Sequence, residues 1–274
     1  MSEISTTIQV ENVGYEDKRK LIPSVQSANS LFNFMRKVEY LKMILKNKAF
    51  IPRYYEEVID YLKLPGVDKI AFPMTCFCDI HVQKIKFHCS KYGSVGIGMN
   101  KSWGIENGIQ PIHYINTNSR IFNELKQLFN IKEHEDYEEV ISPYKNYLLE
   151  HVIFIKPLQG EMYRQEKYVP TNFHDEREWR YVPNITDDMD LPEIISQDIF
   201  MNQTAYNSYS TGILTYERLW LKFEYNDIKY LFLQNEEDRD ELIEFICEEL
   251  NIPEKEKFIL ISKVIILDSI GEDL

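Results

Sequence analysis

Segments with strand patterns and segments with helix patterns follow one another irregularly along this chain. A short apolar run at 31–34 precedes a helical pattern at Val38–Asn47, in which Leu41, Ile44 and Leu45 share one face. The regular strand–helix–strand alternation that builds a parallel α/β sheet is absent from the pattern. The order therefore predicts an α+β fold, with a mixed, mainly antiparallel, bent sheet and flanking helices.

The remaining elements are predicted from the same patterns and from turn residues. Gly93, Gly96 and Gly98 indicate that a ligand or a neighbouring strand approaches the backbone closely. The expected elements are a helix at 54–62, a strand at 69–80, an extended glycine-rich stretch at 92–99, a strand at 111–116, a buried strand at 151–156, a polar loop at 157–172, a hairpin of 219–225 with 228–233, a helix at 239–250 and a strand at 262–267.

The chain has 274 residues, enough for one large domain or two small ones. Residues 1–29 are polar and aperiodic, so we expect an N-terminal arm that can order against the body. There is no internal repeat and no obvious linker after it. The sequence therefore predicts a single α+β domain over 30–274.

The formal net charge of −13 disfavours non-specific binding to nucleic acid, because phosphates need cations to neutralise them. Four lysines in one segment (Lys84, Lys86, Lys91 and Lys101) could form a local basic patch, but a solvated face is the favoured interpretation. The N-terminus lacks the apolar run of a signal peptide, and no stretch approaches the roughly 20 apolar residues of a membrane span. These observations predict a cytoplasmic protein without membrane contact.

Cys76-x-Cys78 with His81, followed by His88-Cys89, prompts the question of a zinc site. Zinc prefers four nitrogen or sulfur ligands in two short pairs, and no second pair stands clear here. Free cysteine behaves more often as a small buried hydrophobe. We therefore predict no metal ligands among these residues.

The stretch FHDEREWRYVP at 173–183 places Glu176 and Glu178 at the mouth of an extended strand. On a strand, residues i and i+2 point to the same face, so two carboxylates would share one pocket. Such a pair could hold a ribose hydroxyl while charge develops at the anomeric carbon. The alternative is a structural pair of glutamates held by Arg177 or Arg180, and the spacing alone favours it.

The order of the sequence blocks resembles the AbiGi family, bacterial proteins described as antitoxin-type components of abortive phage-resistance systems. The resemblance runs from about residue 30 to 185. The blocks are Leu31-Phe32-Asn33-Phe34, Leu41-x-x-Ile44-Leu45, Phe50-Ile51-Pro52-Arg53-Tyr54, the run 72–80, Tyr92-Gly93-x-x-Gly96-Ile97-Gly98, Lys101-x-Trp103-Gly104-Ile105 and the run 175–180.

A weaker similarity, to the ADP-ribosyltransferase superfamily, concerns fold and mechanism. It implies a bent sheet of that type with an NAD cleft, in which Glu178 is the essential carboxylate and Glu176 its partner. The NAD contacts fall on Asn33, Tyr92 and Arg180. AbiGi-like chains commonly have Leu-Phe-His-Phe in the first block, and this chain has Asn33 in the place of the histidine. Asparagine can form hydrogen bonds with a ribose, but it carries no charge for a diphosphate.

Two functions follow from these resemblances. The first is a phage-defence component with an NAD-dependent ADP-ribosyltransferase or NAD glycohydrolase cleft. The second is a non-catalytic antitoxin or regulator that binds a partner protein, such as a cognate toxin.

Overall fold

A computed structural model of the chain describes residues 22–64, 66–129, 147–148, 150–164, 167–200 and 202–270. Within these residues the fold is α+β, as predicted. Nine strands form one mixed, bent sheet, and most of its neighbouring strands are antiparallel. The strands are β1 (Ser30–Met35), β2 (Ala49–Phe50), β3 (Arg53–Val58), β4 (Lys69–Cys78), β5 (Val95–Asn100), β6 (Gln110–Pro111), β7 (His113–Ile115), β8 (Ile155–Pro157), β9 (Gln159–Arg164), β10 (Lys167–Asn172), β11 (Glu178–Tyr181), β12 (Ile195–Ser196), β13 (Leu221–Lys222), β14 (Ile228–Leu233) and β15 (Val264–Ile266).

The main sheet has the order β15-β14-β5-β1-β4-β11-β6, and β3 and β12 also pair with β4. The long strand β4 therefore joins all its parts. Helices cover both faces of this sheet. They are α1 (Val38–Asn47), α2 (Ile85–Tyr92), α3 (Lys101–Glu106), α4 (Arg120–Phe129), α5 (Gln197–Phe200), α6 (Gln203–Gly212), α7 (Glu236–Glu244), α8 (Glu254–Ile261) and α9 (Leu267–Ile270).

Local patterns account for the helices that pack on the core. In α1 the residues Val38, Leu41 and Leu45 are buried, and the helix ends where Lys48 adopts a left-handed φ of 48°. Helix α7 begins after Asn235, whose side chain accepts a hydrogen bond from the backbone N–H of Asp238 at 2.9 Å. Helix α1 has its predicted bounds, whereas α7 begins three residues before the predicted helix at 239–250 and ends at Glu244.

The glycines of β5 allow the aromatic side chains of β1 to pack over the sheet. A Cβ at Gly96 would lie 2.6 Å from the ring of Phe34, and one at Gly98 would lie 2.8 Å from the ring of Phe32. Of the two predicted reasons for these glycines, the close approach of a neighbouring strand is therefore the one observed. The predicted extended stretch begins late, because Tyr92 is the last residue of α2.

Three predicted elements are wrong, because strand pairing decides the structure of each segment. The predicted helix at 54–62 is replaced up to Val58 by strand β3, which pairs with β4 along its whole length, and only Asp60–Leu62 form a single turn of 3-10 helix. The predicted loop at 157–172 is the two-stranded β9–β10 ladder. The predicted hairpin around Asn226-Asp227 does not form, since β13 pairs with β2 and β14 pairs with β5 and β15.

Two further predictions are only partly met. The predicted buried strand at 151–156 begins late, with β8 starting at Ile155, and helical backbone precedes it. Residues 1–21 of the predicted N-terminal arm lie outside the described residues; at its end, Lys101 Nζ donates to Ser27 Oγ and to the Ala28 carbonyl, both at 3.1 Å. That residues 30–274 form one domain stays a prediction.

In the part of the chain that the structure describes, no helix combines the length and the apolar character that crossing a membrane requires.

Candidate functional site

Glu178 is the first residue of β11, and its position is set by pairing on both sides. It lies opposite Cys78 of β4, and its backbone N–H donates to the Tyr114 hydroxyl at 2.8 Å. Glu176 does not belong to this strand, because it ends a single turn of 3-10 helix and Arg177 then adopts a left-handed φ of 44°. The prediction that the two glutamates share one strand is therefore wrong.

Arg180 is fully buried and holds the carboxylate of Glu178. Its Nε donates to Glu178 Oε1 at 2.6 Å, and its Nη2 donates to Glu57 Oε1 at 2.8 Å. Its Nη1 donates to the Ile153 carbonyl at 2.5 Å, and the guanidinium lies over the ring of Phe72 at 5.7 Å. Each guanidinium nitrogen therefore has a partner, which a fully buried charge requires.

Lys156 of β8 is the second cation of the group. Its Nζ lies 2.9 Å from Glu178 Oε2, 3.5 Å from Glu176 Oε2 and 3.6 Å from Glu57 Oε1. The other oxygen of Glu176 accepts a hydrogen bond from the Tyr92 hydroxyl. We call the five residues Glu57, Lys156, Glu176, Glu178 and Arg180 the charge cluster; it joins β3, β8, β11 and the turn before β11.

The electrostatics of the charge cluster keep Glu178 ionised. Burial alone would raise the pKa of Glu178, but Arg180 and Lys156 outweigh it and hold this pKa well below the ordinary glutamate range. Burial likewise opposes the charged form of Lys156, yet Glu57 and Glu178 hold its pKa well above the ordinary value. Glu178 is therefore a poor proton donor and a weak general base near neutral pH.

The structure brings four of the five predicted site residues together, namely Tyr92, Glu176, Glu178 and Arg180. Asn33 is not among them. Phe32 and Glu178 both lie opposite Cys78, on either side of β4, so their side chains share a face of the sheet. Asn33 follows Phe32 and therefore points to the opposite face, where its amide donates to the Cys76 carbonyl at 2.8 Å.

Glu178 is almost completely enclosed, with 7% of its surface exposed. Two surface hollows of the described chain lie elsewhere. One, of about 250 Å³, is lined by residues that include Glu224 and Lys255; the other, of about 530 Å³, runs along α6. Neither is lined by a member of the charge cluster.

The cysteines of β4 lie beside the charge cluster but show no metal-binding arrangement. Burial raises the pKa of the Cys76 and Cys78 thiols well above the ordinary value. The ring of His81 is turned toward the carbonyl of Gln26, at 2.9 Å from Nε2. Among the described residues, no three or more His, Cys, Asp or Glu side chains are grouped to hold a metal ion.

Two members of the charge cluster, Glu57 and Lys156, are not found by the sequence analysis. Glu57 falls in the stretch mistaken for a helix. Lys156 ends an apolar run that is predicted to be a buried strand, and a lysine there was a usable signal, since buried lysines are almost always paired. The partners of Lys156 could not be inferred, because Glu57 lies about 100 residues before it and Glu176 lies 20 residues after it.

Comparison with known proteins identifies the family. The family model of AbiGi, described as an abortive phage resistance protein and antitoxin, matches residues 39–234. A protein of Lactococcus lactis subsp. cremoris named "Abortive phage resistance protein AbiGi" is 36% identical over 248 residues, covering 82% of this chain and 99% of the relative. The chain belongs to the AbiGi family.

The AbiGi match contains the entire charge cluster and Tyr92, whereas Asn33 precedes it. The predicted AbiGi resemblance is thus confirmed, and a role in abortive phage resistance is the function that the family carries. The similarity to ADP-ribosyltransferases receives no support from these comparisons. No solved structure matches the chain.

Proposed function

We propose that this AbiGi chain is an antitoxin that neutralises a partner protein by binding it. In this account the charge cluster stabilises the fold and does not take part in a reaction. The partner is the toxin of the same abortive-infection system. The family description as an antitoxin supports this function, because an antitoxin needs a toxin to act on.

The observation that carries the proposal is the engagement of both oxygens of the Glu178 carboxylate. Arg180 holds Oε1 at 2.6 Å, and Lys156 holds Oε2 at 2.9 Å. A carboxylate that stabilises an oxocarbenium-like transition state must instead face the sugar. Turning Glu178 toward a ligand would leave a fully buried arginine with one charge partner fewer, which is energetically costly.

The alternative is NAD-dependent ADP-ribosyl transfer, and the geometry supports it less. It needs Asn33 and Glu178 on one cleft, but the two side chains point to opposite faces of the sheet. The amide of Asn33 also has a hydrogen-bond partner in the Cys76 carbonyl. NAD binding stays a prediction that the following experiment tests.

Growth rescue separates the two functions. The protein encoded by the gene next to this one is expressed in bacteria alone, and then together with this chain. We expect the neighbouring protein to arrest growth and the wild-type chain to restore it. Asn33→Ala, which removes one hydrogen bond at a partly buried position, should restore growth equally well.

The transferase alternative makes the opposite prediction for the same strains. If NAD turnover by the purified wild-type chain is measurable, and both turnover and rescue are lost in folded Asn33→Ala and Glu178→Gln variants, the binding proposal is wrong. It is also wrong if the neighbouring protein does not impair growth. Circular dichroism of each variant establishes that the loss does not come from unfolding.

A further inference from the structure

Helix α2 carries positive charge on the outer surface of an acidic protein. The segment 81–94 contains three lysines and no aspartate or glutamate, in a chain whose net charge is −13. Lys84, Lys86 and Lys91 are exposed. Between them Phe87 shows 79% of its surface to solvent, an unusual degree for a residue of this size.

The spacing places three of these side chains on one stripe, and Lys86 lies beside it. Lys84 precedes Phe87 by three residues and Lys91 follows it by four, so the three share one side of α2. Arg36 is also exposed and lies near the end of α2, because a Cβ at Gly93, just past that end, would lie 2.7 Å from the Arg36 backbone nitrogen. We call Arg36, Lys84, Lys86, Phe87 and Lys91 the basic ridge.

The cations of the basic ridge are available to a partner. All four are exposed, and none of them forms an ion pair with a residue that the structure describes. Some lysines outside the basic ridge do form ion pairs: the half-buried Lys69 pairs with Glu56 at 2.5 Å, and the exposed Lys222 pairs with Glu217 at 3.1 Å.

The inner face of α2 holds the basic ridge on a rigid support. Ile85 is buried in the core beside Phe32 and Cys78. His88 packs against Phe34, with ring centroids 5.4 Å apart, and stacks on Tyr92 at 4.4 Å. A recognition surface on a fixed helix loses little conformational entropy when it binds.

We propose that the basic ridge is the surface that binds the partner protein, and that it receives an acidic patch surrounding an apolar pocket for Phe87. This inference rests on the proposed function and names the chemistry of the partner. An exposed aromatic residue ringed by cations has the composition of an interface hot spot. The acidic remainder of the chain repels an acidic partner, so binding is directed to this one helix.

A protein fits the basic ridge better than a nucleic acid does. The phosphates of a nucleic acid continue beyond any short contact and would extend over the rest of a chain whose net charge is −13. A folded protein can present a local acidic patch and neutral or basic surface around it. The four cations of the basic ridge cover a short surface, which matches a local acidic patch on a protein better than a continuous phosphate backbone.

The test measures binding of the purified chain to the purified product of the neighbouring gene by calorimetric titration. We expect Phe87→Ala to raise the Kd about tenfold. A triple variant with Lys84→Glu, Lys86→Glu and Lys91→Glu should raise the Kd by a factor of about 100 or more. Raising the salt from about 0.05 M to 0.5 M should weaken wild-type binding and barely affect the triple variant.

A matched control lies on α8, where Phe258 is 66% exposed and Lys255 is also exposed. The double variant Lys255→Glu with Phe258→Ala should change the Kd less than twofold. All the substituted side chains are on the surface, so folding is expected to be unaffected, and circular dichroism checks this.

The outcomes distinguish failure of this inference from failure of the proposed function. Tight binding that survives the triple charge reversal contradicts the basic ridge and leaves the antitoxin proposal standing. Absence of binding by the wild-type chain contradicts both. Binding to a single-stranded oligothymidine that is lost in the triple variant, without binding to the protein, assigns the basic ridge to nucleic acid and contradicts the proposal.

Discussion

At the scale of single residues, Glu178 shows how a sequence motif can suggest chemistry and serve structure. Its carboxylate completes the hydrogen bonding of a guanidinium that has no access to water. Burying two opposite charges costs desolvation energy that their attraction only partly offsets, so such a pair contributes little net stability. Removing one partner is different, because the charge that remains is buried without compensation.

Glu178→Gln is therefore expected to lower the free energy of unfolding by roughly 3 kcal/mol. Chemical denaturation in urea at neutral pH measures this change. The control is Glu161→Gln at an exposed position of β9, which should change stability by less than about 0.5 kcal/mol. Equal stability of the two variants would contradict the structural role of Glu178.

The contribution of Glu178 should also depend on pH in a defined direction. Its pKa in the folded chain lies well below the ordinary value of 4.5, so the unfolded chain takes up the proton first as the pH falls. The stabilisation is complete above the ordinary value and is lost below it. The stability difference between the wild type and Glu178→Gln should stay constant above about pH 5.5 and shrink steadily as the pH falls from about 4.5 to about 3.

Denaturation at a series of pH values measures this difference, which isolates Glu178 from the other carboxylates. A difference that stays constant, or that grows as the pH falls, would show that Arg180 and Lys156 do not depress the pKa of Glu178.

At the scale of elements, the junction of α2 with β5 depends on one glycine. Gly93 has a φ of 120°, and a Cβ there would lie 2.1 Å from the Met35 carbonyl oxygen. Because the clashing atom belongs to the backbone, no side-chain rotation can relieve the clash. The turn holds α2, and with it the basic ridge, against β1.

We expect Gly93→Ala to destabilise the chain by at least about 3 kcal/mol, through backbone strain together with a steric clash. Gly66→Ala is the control: its φ is also positive, at 72°, but no atom lies within 4 Å of the added Cβ. That variant should lose only about 1 kcal/mol. Thermal unfolding compares the two, and equal losses would contradict the close packing at Gly93.

The elements that the sequence predicts correctly are those determined by neighbouring residues. Helix α1 follows from the spacing of Leu41 and Leu45, and α7 follows from the Asn235 cap. Strand β3 could not be predicted in this way, because its residues become extended only by pairing with β4. The error carried over to the site: Glu57 could not be recognised as a partner of Arg180 while β3 was taken for a helix.

At the scale of the whole molecule, the charged side chains discussed above fall into two groups, one buried and one exposed. The buried charges of the charge cluster are compensated inside the fold, and the cations of the basic ridge are exposed to solvent. The AbiGi family assignment supports a role of the chain in abortive phage resistance. Binding through a surface accounts for that role without a reaction at Glu178.

Size-exclusion chromatography with light scattering tests most directly whether this chain acts by binding a partner protein. The chain is mixed with the product of the neighbouring gene in buffer without NAD. We expect one stable complex that contains both proteins, unchanged when NAD is added. This expectation is contradicted if the proteins elute separately and the partner is inactivated only after NAD is supplied, gaining the mass of an ADP-ribose.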